Sequence, residues 1–186
     1  MRLGVLVSGR GSNLEAILAS GIEVTIVISN REEVRALDVA AGHGVPSVVL
    51  RRADFADAAA RDAAIAAALG DAGVELAVLA GYDRLLRPSY FAHFGGRTIN
   101  VHPSLLPAHG GAGMMGAAVH RAVLEAGDRE TGVTIHEVTP ELDAGPVLAQ
   151  VRVPVHADDD SDRLAARVLE EEHRLLVATL RSLVSR

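Results

Sequence analysis

Leu3-Gly4-Val5-Leu6-Val7-Ser8-Gly9-Arg10-Gly11-Ser12-Asn13-Leu14 is the stretch whose reading decides the fold. Leu3–Val7 is a short, unbroken apolar run, the pattern of a strand covered on both faces. Gly9 and Gly11 interrupt it, and Asn13–Ala19 resumes as a helix with Ser12 or Asn13 near its cap. Strand, glycine turn and helix in that order open a parallel α/β sheet, in which ligands bind beyond the carboxyl ends of the strands. Glycines let the backbone turn tightly and approach a ligand closely. The free N–H groups of the following helix suit an anion, phosphate above all. The third glycine of the dinucleotide fingerprint is missing, because Gly9-x-Gly11 runs on into Leu14. The second strand ends in Ser29-Asn30, where the fingerprint would place an acidic ribose ligand. A single phosphate group at Gly11, Ser12 and Asn13 is therefore expected; the alternative is a turn that binds nothing.

The alternation continues outward from this stretch. Strands are expected at Val24–Ile28, Ser47–Leu50, Leu76–Leu79 and Arg97–Val101, with helices at Glu32–Ala41, Asp54–Ala72 and Pro88–His93. Residues 103–115, rich in Pro, Gly and His, read as a long functional loop. A helix at Ala117–Ala126 follows, then two longer, more exposed strands at Thr131–Val138 and Pro146–Val155 that extend the sheet. Asp158–Val184 is a long C-terminal helix opened by acidic residues that suit the helix dipole. The expected architecture is one Rossmann-like α/β domain over residues 1–186, a mostly parallel twisted sheet with helices on both faces. No linker, repeat or low-complexity tract divides the chain.

Composition narrows the chemistry. The chain has 186 residues, 49% hydrophobic and 23% charged, enough for a substantial core. It contains no Cys, which removes disulfides, thiolate metal sites and a cysteine nucleophile. It contains no Lys either, so a Walker A lysine and a Schiff-base lysine are also excluded. A net charge of −6 argues against broad electrostatic binding to nucleic acid. No apolar run is long enough to span a membrane, and the N-terminus lacks the pattern of a signal peptide, so a cytoplasmic protein is expected. Eight His residues raise the question of a metal. No His-Glu-x-x-His is present, and no metal is expected.

Two further segments carry chemistry. Asn100-Val101-His102-Pro103 closes the fifth strand. Residues two apart on a strand share a face, so Asn100 and His102 project together. An amide there can donate to a developing oxyanion, and an imidazole can move protons near neutral pH. A loop-capping network would use the same pair. Leu142-Asp143-Ala144-Gly145-Pro146 lies between the two late strands. Asp143 is the candidate carboxylate partner for His102, favouring the imidazolium and orienting its ring; it is equally an ordinary turn residue. His109, His120 and His136 fall in or beside these segments as supporting groups at most.

Together these segments resemble the phosphoribosylglycinamide formyltransferase family, folate-dependent enzymes of purine synthesis. The match runs in order through Val7–Leu14, Leu79–Leu86, Asn100–Pro107, Gly113–His120, Gly132–His136 and Glu141–Pro146. The resemblance implies transfer of a formyl group from 10-formyltetrahydrofolate to the amine of glycinamide ribonucleotide through a tetrahedral intermediate, without a metal. It implies that Asn100 steadies the oxyanion, His102 passes protons and Asp143 orients the His. It also implies that Gly11, Ser12 and Asn13 hold the substrate phosphate. Arg84, Leu85 and Leu86, with Val138, Thr139, Pro140 and Glu141 and the catalytic Asn100 and Asp143, would line the folate site. Glu172, in Glu170-Glu171-Glu172-His173, would lie near the substrate's amine end; a solvated charge run is the alternative. Partners are expected to be these small molecules, with neither nucleic acid nor membrane, in a monomer or homodimer. The chain departs from the family at Asp83, where an apolar residue is common; at Pro140, where an acid is common; and in Ala108–Gly116. Formyltetrahydrofolate deformylase and methionyl-tRNA formyltransferase share the core, but normally carry a further domain for which this chain is short. A catalytically silent module that binds a phosphorylated metabolite is the alternative from another class.

Overall fold

A computed structural model describes residues 1–184. Its elements are β1 (Leu3–Val7), α1 (Ser12–Ala19), β2 (Val24–Ser29), α2 (Arg35–Gly42), β3 (Ser47–Val49), α3 (Ala58–Asp71), β4 (Leu76–Leu79), α4 (Pro88–His93), β5 (Arg97–His102), α5 (Ala117–Ala126), β6 (Glu130–Glu137), β7 (Val147–Pro154) and α6 (Ser161–Val184). Hydrogen-bonded neighbours run in the order β3-β2-β1-β4-β5-β6-β7, an α/β fold on a mostly parallel seven-stranded sheet. The chain forms two compact units, Met1–Ile99 and Asn100 onward, divided within β5.

In the first unit β1 pairs parallel with both β2 and β4, and β2 pairs parallel with β3. All five residues of β1 are buried, and so are all four of β4. Buried at every position, these strands have no solvated face, so continuous apolar runs rather than alternation encode them. Each fully buried Leu, Ile or Val contributes about 1.5–3 kcal/mol relative to exposure.

Several helix starts differ from those the sequence suggests, each for a local reason. α1 is capped by Gly11 in the left-handed region, φ 76°, rather than by Ser12 or Asn13. α2 starts at Arg35 and not Glu32, because Glu33 takes a positive φ of 52° that a helix cannot include. α3 starts at Ala58 and not Asp54. The Asp54 carboxylate is instead held by the Arg51 guanidinium through two bonds of 2.8 and 2.6 Å, closing a 3-10 turn. Asp57 is the true cap, accepting from the Ala60 N–H at 2.7 Å. Asp57→Ala should cost about 1 kcal/mol, read as a lower urea midpoint at unchanged slope. An unchanged midpoint would remove the cap assignment.

In the second unit β6 and β7 pair antiparallel from Glu130↔Pro154 to His136↔Val147. The expectation that both late strands are exposed fails for β6, whose residues Thr131–His136 are all buried. β6 lies between β5 and β7 in the strand order, so of these two late strands β7 is the edge. α6 buries Leu164, Val168, Leu176 and Leu180 along one stripe. It starts at Ser161 rather than Asp158, and the Asp160 carboxylate accepts from the Arg163 N–H at 2.8 Å, as a cap does. No helix among the described residues is long and apolar enough to cross a membrane.

Candidate active site

Within the first unit, the glycine loop is shaped by a close approach. A Cβ on Gly11 would sit 2.7 Å from the Ala36 Cα, and the backbone there is left-handed. Only glycine meets both conditions. The Gly9 carbonyl accepts from the Ala36 N–H at 3.1 Å, tying the loop to the start of α2. Gly11 and Asn13 are buried and Ser12 is half-buried. The loop thus presents the start of α1 at the carboxyl end of β1, the geometry of an anion site.

The loop after β4 is fastened to the same strand ends. The Asp83 N–H donates to the Ser8 Oγ at 2.9 Å, and the Asp83 carboxylate accepts from the Asn30 Nδ2 at 2.7 Å and from the Arg31 guanidinium. The unusual acid at position 83 therefore has a partner set of its own, built from the end of β2. Farther along, the Asp62 carboxylate, wholly buried beside Arg61, accepts from the Arg87 N–H at 2.8 Å. Between these two anchors Arg84 and Leu85 are exposed, Leu85 by 50%, and Leu86 is buried.

Within the second unit, β5, β6 and the 142–146 loop bring Asn100, His102 and Asp143 together, as the sequence suggests. Asn100 and His102 do share one face of β5. The His102 Nδ1 lies 3.9 Å from the Asp143 Oδ2, with the two side chains 5% and 9% exposed. The His102 Nε2 donates to the His109 carbonyl at 2.9 Å. Asp143 accepts from the Gly111 N–H at 2.8 Å, so the 103–115 loop holds both members of the pair. Asp143 and His109 each adopt a positive φ, 53° and 52°. Such conformations persist where surrounding contacts over-determine them, and they gather at functional sites. The turn also needs Gly145, where a Cβ would lie 1.9 Å from the Glu137 carbonyl oxygen. Val138 and Thr139 are half-buried, while Pro140 and Glu141 are exposed on the approach to Asp143. The Thr139 hydroxyl donates to the Glu141 carbonyl at 3.1 Å. Glu172 is half-buried on α6, whereas its neighbour Glu170 is exposed.

His109 and His136, which the sequence offers only as supporting groups, have partners that it does not reveal. His136 is buried, its Nδ1 donating to the Glu137 carbonyl at 2.9 Å and its Nε2 facing the Asn100 Nδ2 at 3.2 Å. Its pKa is lowered, chiefly by burial, against a smaller opposing pull from Asp143. His109 is held by Asp128 at 2.6 Å. Thr134 accepts from the Leu106 N–H at 3.0 Å and from the Gln150 side chain at 2.8 Å, bracing the start of the loop. Apart from the His136–Glu137 contact, these pairings join residues far apart in sequence; only the alternation along β6, which puts Thr134 and His136 on one face, hints at them. Among the described residues no group of three or more His, Cys, Asp or Glu side chains is arranged to hold a metal ion.

A family model described as formyl transferase matches residues 1–180. Phosphoribosylglycinamide formyltransferase of Escherichia coli is 39% identical, over 94% of this chain and 83% of that protein. The trifunctional purine biosynthetic protein adenosine-3 of Drosophila melanogaster is also 39% identical, over 99% of this chain. The chain spans only 14% of the length of that protein, and 18% of its Gallus gallus counterpart. Among solved structures, glycinamide ribonucleotide transformylase 1 from Symbiobacterium toebii superposes with a TM-score of 0.91 at 40% identity. That match covers 97% of this chain and 86% of the other.

Proposed function

The chain belongs to the formyl transferase family, and from that premise we propose that it transfers the formyl group of 10-formyltetrahydrofolate to the amine of glycinamide ribonucleotide. The observation that carries this reading is the cluster in which half-buried Asn100 meets buried His136, and His136 and His102 both face Asp143: an amide donor, a proton carrier and a carboxylate. The relatives' names support the choice of substrate, and the geometry supports the chemistry.

The amine nitrogen attacks the formyl carbon, forming a C–N bond and pushing the carbonyl electrons onto oxygen. The Asn100 amide donates to that oxyanion, a contact that strengthens as charge develops. His102 takes the proton that the attacking nitrogen sheds and returns it to the folate nitrogen as the second C–N bond breaks. Asp143, whose Oδ2 lies 3.9 Å from the His102 Nδ1, orients the imidazole. The balance needs no oxidant, metal or covalent enzyme intermediate. The Gly11, Ser12 and Asn13 backbone would hold the substrate phosphate. Arg84, Leu85 and Leu86, and Val138, Thr139, Pro140 and Glu141, would line the folate site, and Glu172 would lie near the substrate amine.

The test is a formyl-transfer assay with a 10-formyl folate, with and without glycinamide ribonucleotide. Release of deformylated folate is expected only when the nucleotide is present. Release without it would reassign the protein as a deformylase. No release at all would favour another acceptor or a binding module.

A further inference from the structure

His136 makes two contacts that together define its protonation. The Glu137 carbonyl can only accept, so the Nδ1 at 2.9 Å carries the hydrogen. The ring is 2% exposed, and burial disfavours a second proton. The Nε2 is then a bare lone pair. It faces the Asn100 Nδ2 at 3.2 Å and the Asp143 Oδ1 at 3.7 Å. Of these two neighbours only the amide can donate to it. Turning the Asn100 amide over would set its oxygen against that lone pair. We propose that His136 is a positioning residue that, as the neutral Nδ1–H tautomer, locks the Asn100 amide with its donor end in place. The same neutrality leaves Asp143 to the His102 ring and the Gly111 N–H. The inference rests on the reading of Asn100 as oxyanion donor, and its test separates the two.

The first measurement is nitrogen NMR of the histidine rings in the full chain near pH 7.5. The His136 signals are expected to show a protonated Nδ1 and an unprotonated Nε2; a protonated Nε2 would overturn the proposal whatever the activity. The second is kinetic. His136→Leu removes the acceptor and should lower kcat by about tenfold or more, as misplacement of a reacting group does, with little change in KM for the nucleotide. His136→Gln restores an acceptor oxygen and should recover most of the loss. In an Asn100→Ala background, His136→Leu should cost less than about twofold, because residues acting as one unit are not additive. Equal losses in both backgrounds would sink the positioning role. Asn100→Ala with unchanged kcat would instead remove the oxyanion assignment, while the ring NMR would still decide the tautomer.

Discussion

His102→Ala lowers kcat by roughly 10²–10⁴-fold, the usual contribution of a positioned general acid–base group, while glycinamide ribonucleotide binds nearly as before. The asymmetry follows from where each task is done. Phosphate recognition is assigned to the Gly11–Asn13 backbone at the start of α1, and His102 sits at the end of β5. Truncation also removes a buried ring whose Nε2 donates to the His109 carbonyl at 2.9 Å. His102→Gln is therefore the companion variant, since its amide can still donate to that carbonyl but cannot carry a proton through the reaction. Both variants should lose turnover to a similar degree, with unfolding midpoints reported alongside kcat and calorimetric nucleotide affinity. Turnover within a few-fold of the parent in His102→Gln would show that a water or another group moves the proton.

Much of this site could be read from the sequence because the informative groups are close together along it. Strand periodicity puts Asn100 and His102 on one face, and turn chemistry marks the glycine loop and the Asp143 turn; the roles proposed for them are what the family resemblance implies. The fold was legible for the same reason: buried parallel strands are continuous apolar runs, and the intervening helices carry their own period. What escaped was non-local. His136 meets Asn100 across 36 positions, His109 meets Asp128 across 19, and Asp83 meets Asn30 across 53. Nothing in a local pattern selects these partners. Helix starts escaped for a different reason. Asp54 and Asp57 are equally good caps on paper, and the Arg51 guanidinium decides between them by engaging one. The burial of β6 likewise depends on its place between two strands, which its own residues do not announce.

Asn100→Ala is the second large effect, a loss of about 10²–10³-fold in kcat, as for removal of one oxyanion donor. KM for the folate should change less, because a ground-state formyl oxygen carries little charge and the contact tightens only as the tetrahedral intermediate forms. Asn100→Asp sharpens the point. It keeps the side-chain shape but replaces the donor nitrogen with oxygen, facing the His136 Nε2 now seen at 3.2 Å from the amide. A carboxylate there would repel both the oxyanion and Asp143, so Asn100→Asp should be at least as impaired as Asn100→Ala at neutral pH. If shape alone mattered, Asn100→Asp would keep most of the activity that Asn100→Ala loses. The double variant Asn100→Ala, His102→Ala adds a further discrimination. If the amide and the imidazole act on one transition state, the double variant should lose less than the product of the two single losses, because either truncation already disables the step they share. A loss equal to that product would mean that the two side chains contribute independently, which the chain of contacts from Asn100 through His136 and Asp143 to His102 argues against.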